Sequence, residues 1–133
     1  MADKTGLHSA RSQYDATETA RRLRAAVKGA GLTIFAEVDH AKNARDAGMS
    51  LRPTLLLIFG DARGGTPLMQ LRQTVGIDLP LKALVWDDEH GATWLTYNDP
   101  QWIADRHGLD ARAHQPVAAI SAGMAKLVAM ATA

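Results

Sequence analysis

Two adjacent residues, Asp39 and His40, are the first candidates for acid–base chemistry in this sequence. A carboxylate beside an imidazole is a combination that transfers protons or holds a metal ion. The pair follows an apolar segment with the alternation of a strand, and neighbouring residues on a strand point to opposite faces. The two side chains therefore do not form a dyad with each other. Helix capping by Asp39, beside a partly buried and hydrogen-bonded His40, is the favoured interpretation.

A glycine-rich segment, residues 60–67, is the second place where chemistry is possible. Free N–H groups at the start of a helix attract anions, and Arg63 adds a positive charge. The segment lacks the lysine and the spacing of a P-loop, and it is not a G-x-G-x-x-G motif. A plain turn is therefore favoured, followed by a helix that Thr66 caps and that has Pro67 as its first residue.

The third candidate is the pair Asp78 and Lys82, which stands at the entrance to a predicted hairpin. These opposite charges either contact a ligand or pair with each other, and such pairs are more often structural or solvated. No serine lies in the G-x-S-x-G context of a nucleophile elbow. If the chain is an enzyme, His40 and Asp78 are its candidate acid–base residues.

Composition excludes several classes of protein. The chain has no cysteine, which rules out thiol catalysis, a CxxC redox pair and a thiolate zinc site. Its five histidines are dispersed, without an H-x-x-x-H or H-E-x-x-H pattern, so neither a metal nor a cofactor is predicted. The net charge is only +1, and the basic face of the first helix has no interleaved aromatic residues. A nucleic-acid partner is therefore not predicted.

The 133 residues are enough for one domain with one hydrophobic core, and no linker or internal repeat divides them. The first twelve residues are polar and charged, without the apolar core of a signal peptide, which predicts a cytoplasmic location. The final helical segment is shorter than the ~20 apolar residues of a membrane span. It also contains Ser121, Gly123 and Lys126, so a membrane partner is not predicted.

Apolar patterning divides the chain into strands and helices. Alternating or continuous apolar residues predict strands at 7–13, 32–38, 53–59, 81–86 and 92–97. Helical spacing with start and stop signals predicts helices at 16–30, 41–47, 66–75, 101–107 and from 115 to the C-terminus. The strands outnumber the crossover helices, and two of them form a hairpin. This pattern predicts an α+β domain with helices on one face of a largely antiparallel sheet.

The strand at 53–59 is apolar on both faces, with Leu56 and Ile58 on one face and Leu57 and Phe59 on the other. Helices cover one face of such a sheet, and the second face also needs a cover. Either the final helix or a second subunit supplies it. A homodimer is slightly favoured, because two-fold pairing is the commonest way to bury such a surface.

Four blocks of sequence carry a resemblance to a known family. They are FAEVDHA with LRPT at 35–41 and 51–54, LIFG with GTPLM at 57–60 and 65–69, DLPL with VWDD at 78–81 and 85–88, and YNDP at 97–100. In order and spacing, these blocks resemble the domain-of-unknown-function 302 family over residues 6–110. A C-terminal helix at 115–132 completes a single domain of residues 1–133.

The resemblance implies a fold similar to the TATA-binding-protein arrangement. That arrangement is a curved antiparallel sheet backed by helices, in the order β-α-β-β-β-β-α with insertions. Small bacterial and archaeal members of the family form homodimers, and no established activity comes with the family. Fold alone does not carry function, so this shape does not make the chain a DNA-binding protein.

Two functional hypotheses follow from the residues and the resemblance. The favoured one is a small cytoplasmic homodimeric module, not an enzyme, that binds a small ligand or a protein partner in a groove. The residues predicted to line that groove are Asp39, His40, Phe59, Asp61, Lys82 and Tyr97. The alternative is an enzyme that acts on a small metabolite with His40 or Asp78 as its acid–base residue. A purely structural dimer is a third possibility.

Overall fold

The computed structural model describes residues 2–133, and these form one antiparallel sheet of five strands in the order β1-β5-β4-β3-β2. The strands are β1 (Leu7–Arg11), β2 (Thr33–Asp39), β3 (Thr54–Gly60), β4 (Leu81–Asp87) and β5 (Thr93–Asn98). The α-helices are α1 (Ala16–Gly29), α2 (His40–Asp46), α3 (Ala62–Leu71), α4 (Pro100–Arg106) and α5 (His114–Thr132). Short 3-10 turns lie at Gln73–Ile77 and Ala111–Ala113.

The order of the elements confirms the predicted α+β class. With the shorter helices α2, α3 and α4 taken as insertions, the chain reads β-α-β-β-β-β-α. Every neighbouring pair of strands is antiparallel, and β4 and β5 form the predicted hairpin. The two long helices, α1 and α5, back the sheet from one side.

The hydrophobic core lies between one face of the sheet and the helices α1 and α5. The sheet contributes Phe59, Val85 and Leu95, which are almost completely shielded from solvent. Val27 of α1 and Leu127 of α5 pack in the same cluster. Burial of an apolar side chain of this size stabilises a domain by roughly 1.5–3 kcal/mol, so this layer is a main source of stability.

The second face of the sheet, called the open face below, carries large apolar side chains that remain partly exposed. The strand registers place on it Val38, Leu56, Ile58, Leu84, Trp86 and Trp94. The sequence leaves the final helix or a second subunit as the cover of this face. The final helix is not that cover, because α5 packs beside α1 on the other face.

Helix α3 begins at Ala62, five residues before Pro67, its predicted first residue. Asp61 accepts a hydrogen bond from the backbone N–H of Arg63 at 2.9 Å and so caps a helix that starts at the next residue. Thr66 and Pro67 therefore lie inside the helix rather than at its start. The helix also ends earlier, at Leu71, and the last predicted turn is replaced by the first 3-10 segment.

The N-terminal strand is held by the far end of the chain. Strand β1 pairs with β5 along its length, beginning with Leu7 opposite Asn98. Just beyond β1, the backbone N–H of Gln13 donates to the carbonyl of Thr132 at 2.9 Å. A backbone hydrogen bond therefore joins the segment that follows the first strand to the last helix.

Candidate functional site

Antiparallel pairing separates the residues predicted to form one binding groove. Asp39 lies opposite Leu55, at the end of the sheet where β3 begins. Asp61 follows Gly60, at the end where β3 finishes. These ends are about 20 Å apart, since β3 has seven residues with a rise of ~3.3 Å each. Asp39 and His40 therefore do not share a site with Asp61.

Three other predicted residues are divided between the two faces of the sheet. Phe59 is fully buried in the core, and Tyr97 packs against the same core cluster. Lys82 lies on the open face, because it pairs with Ile58, the neighbour of Phe59. The Lys82 ammonium donates to two backbone carbonyls of the preceding loop, at 3.2 and 3.4 Å. One of them is the carbonyl of Asp78, so Lys82 contacts the backbone of that residue.

Asp39 has a structural role at the start of α2. Its carboxylate accepts a hydrogen bond from the backbone N–H of Lys42 at 2.9 Å and caps the helix, as predicted. His40 is the first residue of that helix and is exposed. The predicted partial burial of His40 is therefore wrong, because the first turn of α2 leaves this position in solvent.

Tyr97 belongs to a small polar cluster near β1. Its ring stacks on that of His8, with the ring centroids 4.9 Å apart. His8 Nε2 lies 3.1 Å from Oδ1 of Asp99, the residue that caps α4. Partial burial raises the pKa of Tyr97 above its ordinary value, and the charge of Asp99 adds to this effect. The phenol therefore stays protonated and remains a hydrogen-bond donor.

Among the described residues, the carboxylate of Asp78 contacts His107 and Arg106, and it forms no ion pair with Lys82. His107 Nε2 lies 2.7 Å from Asp78 Oδ2, and His107 Nδ1 lies 3.0 Å from Thr74 Oγ1. Because an ionised carboxylate only accepts, Nε2 carries the proton of its bond to Asp78, and Nδ1 forms a second hydrogen bond with the threonine hydroxyl. Arg106 donates to the same carboxylate at 3.0 Å. These four residues, the Asp78 cluster, tie α4 to the first 3-10 turn.

Replacing His107 by alanine is expected to lower the free energy of unfolding by about 1–3 kcal/mol, because two hydrogen bonds are lost and one of them is to a charged group. The Asp78 side chain is only 16% exposed, so water replaces the lost bond poorly. Urea unfolding followed by circular dichroism measures the change. Arg106→Ala is the control, since it removes a half-exposed partner of the same carboxylate and is expected to cost less than about 1 kcal/mol. An equal loss in both variants would contradict the assigned importance of His107.

A cavity of about 940 Å³ opens between α1, α3, α5 and the end of the sheet where β3 finishes. Its volume lies near the upper end of the range for ligand pockets, about 300–1,000 Å³. Asp61 is the one residue of the six predicted that lines it. This cavity is the candidate functional site.

The cavity walls are mainly apolar. Their larger apolar side chains include Leu32, Phe35, Met69, Leu79, Ile120 and Met130. Phe35 lies at a β-bulge that shifts the register of β2, which leaves it out of the strand pairing. Phe35 and Met130 are 55% and 52% exposed. The walls therefore present apolar surface to solvent at the mouth of the cavity.

The glycine-rich segment 60–67 contributes all eight of its residues to the lining. The sequence marks this segment as a candidate but favours a plain turn there, and the structure replaces that turn with the start of α3. The residues that α5 contributes to the cavity lining form no sequence motif. Small residues such as Ala119 and Gly123 at helical spacing are their only sequence signal.

Three charged side chains belong to the described lining: Asp61, Arg63 and Lys126. The guanidinium of Arg63 donates to the carboxylate of Asp61, at 2.7 Å for the shortest bond. The hydrogen bond from Arg63 lowers the pKa of Asp61, and the same contact raises the pKa of Arg63. The pair is neutral as a unit, so Lys126 leaves the lining with one net positive charge.

Three further properties of the described residues concern metal binding, the pairing of buried polar groups and the crossing of a membrane. Among residues 2–133, no three side chains of His, Asp and Glu are grouped so that they could hold a metal ion. Every buried side-chain nitrogen or oxygen in the described part of the chain has a hydrogen-bond partner. No helix between residues 2 and 133 has the length and apolar character to cross a membrane.

Comparison with known proteins decides the family. The family described as Domain of unknown function DUF302 matches residues 8–127 of this sequence. The chain belongs to the DUF302 family. A crystal structure of an uncharacterized conserved DUF302 protein from Bacillus stearothermophilus superposes with a TM-score of 0.84, over 95% of this chain and 98% of that one. At 17% identity this likeness shows the fold alone.

Relatives of this DUF302 chain among the curated proteins are longer. Fluoride-specific ion channel FluC 1 of Brucella suis biovar 1 and fluoride-specific ion channel FluC 2 of Brucella melitensis biotype 1 are each 47% identical to it over 105 residues. The match covers 79% of this chain. The chain spans about two fifths of those relatives, 41% and 39% of their lengths.

Proposed function

We propose that this DUF302 domain is a binding module that holds a small, mostly apolar molecule in the cavity beside α3. The cavity carries the proposal, because its volume of about 940 Å³ suits a small ligand and its walls are mainly apolar. Phe35 and Met130 keep more than half of their surface in water. A ligand that covers them gains about 25 cal/mol for each Å² of apolar surface removed from water.

A bulky side chain at Gly123 is expected to block this binding. Gly123 lines the cavity from α5, and a Cβ built on it meets nothing within 4 Å. Gly123→Trp therefore places its ring in the space proposed for the ligand. We expect the variant to bind the uncharged fluorescent probe N-phenyl-1-naphthylamine about tenfold more weakly than the wild type, a loss of ~1.4 kcal/mol. Fluorescence titration measures both affinities.

Ala122→Trp is the matched control for that titration. It adds the same side chain one residue away, at an exposed position of α5 outside the cavity lining. We expect Ala122→Trp to bind the probe as the wild type does. If the wild type binds no probe, or if both variants bind it equally, the cavity is not the binding site.

We also propose that the module is a homodimer that pairs through its open face. Trp86 and Trp94 stack there with ring centroids 6.3 Å apart. Trp86 Nε1 donates to Thr96 Oγ1, and Trp94 Nε1 donates to Asp88 Oδ2, both at 2.9 Å. The polar atoms of both indoles are therefore satisfied within the chain. Their rings and the neighbouring aliphatic side chains remain available for an apolar partner surface.

The Brucella relatives bring fluoride into consideration, because their names describe fluoride-specific ion channels. This chain corresponds to about two fifths of their length. A small, strongly hydrated anion gains nothing from apolar walls, since burying a charge without a partner is costly. We therefore propose an apolar molecule rather than fluoride as the ligand of the cavity.

A second candidate function is an enzyme that acts on a small metabolite, and the Asp78 cluster favours it. The hydroxyl of Thr74 is exposed and is hydrogen-bonded to His107, which donates to Asp78 through its other ring nitrogen. Hydroxyl, imidazole and carboxylate in this order also form the proton path of hydrolytic triads. The variant His107→Ala tests the idea with p-nitrophenyl acetate. An enzyme would lose turnover at temperatures where the variant is folded, whereas Arg106→Ala would keep it.

A further inference from the structure

The charges on the cavity lining distinguish between ligands that share an apolar body. Asp61 and Arg63 form a hydrogen-bonded ion pair, with the Asp61 side chain 26% exposed and the Arg63 side chain 88% exposed. Each charge is already balanced by the other, so neither is a free partner for a ligand. The Asp61–Arg63 pair therefore contributes little to the choice of a charged group.

Lys126 is the remaining charge on the lining, and it is the single charged residue of α5 apart from the histidine at the start of that helix. Within the described part of the chain, Lys126 takes part in no ion pair. The other residues of α5 around it, such as Leu127 and Met130, are apolar. A lysine without an acidic partner beside an apolar cavity is complementary in charge to an anionic group.

The other polar side chains of the described lining, Thr66 and Gln115, are exposed and carry no charge. Every buried side-chain nitrogen and oxygen between residues 2 and 133 already has a partner. A charged group on the ligand therefore gains most where Lys126 is, at the exposed side of the cavity, with its apolar part against the walls. An ammonium stays hydrated at such a position while its aliphatic stem packs on apolar surface.

We propose that the ligand is an amphiphile with one anionic head group, such as a carboxylate, which Lys126 binds at the mouth of the cavity while the apolar tail lies against α1, α3 and α5. This inference rests on the proposed binding function and adds the chemical class of the ligand. The head group supplies the negative charge that the lining lacks, and the tail covers Phe35 and Met130.

Displacement of N-phenyl-1-naphthylamine by three compounds with a chain of about ten carbons tests the head group. The compounds are decanoate, 1-decanol and decyltrimethylammonium, which share a tail and differ in charge. We expect Lys126→Gln to weaken displacement by decanoate about two- to fivefold, the range for one solvent-exposed ion pair. Displacement by 1-decanol is expected to be unchanged, and displacement by the cation is expected to improve.

Lys28→Gln is the matched control. Lys28 is an exposed lysine of α1 outside the cavity lining, so its replacement changes the net charge equally. We expect Lys28→Gln to leave all three affinities unchanged. The effect of Lys126→Gln is also expected to shrink as sodium chloride rises, because salt screens exposed charges.

The outcomes separate the two proposals. If decanoate and 1-decanol both displace the probe and Lys126→Gln affects neither, the cavity binds apolar molecules but the anionic head group is wrong. If the probe itself does not bind, the proposed function fails before the head group is tested. The apparent affinity for the probe is also compared at several protein concentrations. If that affinity falls as the protein concentration rises, a second copy of the chain occupies the cavity, and the amphiphile is ruled out as its occupant.

Discussion

Replacing Phe59 by alanine is expected to lower the free energy of unfolding by about 3–5 kcal/mol, the usual cost of removing a buried aromatic ring. Phe59 has no exposed surface and lies in the cluster that joins β3 to α1 and α5. The sequence proposes it as a ligand contact, whereas its burial makes it a core residue. Equilibrium unfolding in urea measures the change through the midpoint of the transition.

Phe35 provides the control of the same residue type, since these two are the only phenylalanines in the chain. It is 55% exposed. Phe35→Ala is therefore expected to cost less than about 1 kcal/mol, because surface substitutions rarely cost more. It is also expected to weaken binding of the probe, since Phe35 lines the cavity. A small loss for Phe59→Ala together with weaker probe binding would restore Phe59 as a ligand contact.

An arginine in the centre of the open face is expected to abolish dimerisation. Leu84 lies on β4, the middle strand of the five, between Leu56 on β3 and Thr96 on β5. In a symmetric dimer through this face, Leu84→Arg places two positive charges near the two-fold axis, where each lacks a partner. Burying these charges costs several kcal/mol. The dissociation constant of the dimer is therefore expected to rise by about a hundredfold or more. Analytical ultracentrifugation over a range of concentrations measures it.

Ala125→Arg distinguishes the open face from the final helix as the dimer interface. Ala125 is exposed on α5 and lies outside the cavity lining. We expect this variant to dimerise as the wild type does. Dissociation by Ala125→Arg but not by Leu84→Arg would move the interface to α5. A wild-type chain that sediments as a monomer at all concentrations would reject the homodimer itself.

Most of the fold can be predicted from the sequence because most of its helices and turns depend on residues that are close together in the chain. The β4–β5 hairpin and the cap of α2 by Asp39 depend on residues close together in the chain, and both are found. The start of α3 is the exception, because two capping signals compete within five residues. Thr66 with Pro67 is the stronger pattern. Asp61, however, follows directly on β3, and its carboxylate accepts a hydrogen bond from the free backbone N–H of Arg63 in the first turn of the helix.

The site is harder to predict because it depends on how distant segments meet. The cavity lining comes from residues between 26 and 130, and most of them are glycine, alanine or aliphatic residues. Outside the segment 60–67, none of the lining residues is one that the sequence marks as a candidate site residue. The predicted groove assumes that the family-like blocks of sequence converge at the ends of strands. In an antiparallel sheet the ends of successive strands alternate between two sides, which places Asp39 and Asp61 far apart. Likewise, nothing in the local sequence of His107 indicates its contact with Asp78.

The backbone link between the two ends of the chain has a consequence for how the protein folds during synthesis. Strand β1 pairs with residues that come 91 positions later at Leu7 and 83 positions later at Arg11, the differences from Asn98 and Trp94. At about 5–20 residues per second, a ribosome takes roughly 4 to 18 s to make that partner. Until then, β1 is an unpaired strand, and its polar residues His8 and Ser9 keep it hydrated. A segment of this polarity exposes little apolar surface while it waits for its partner, which lowers the tendency of the nascent chain to aggregate.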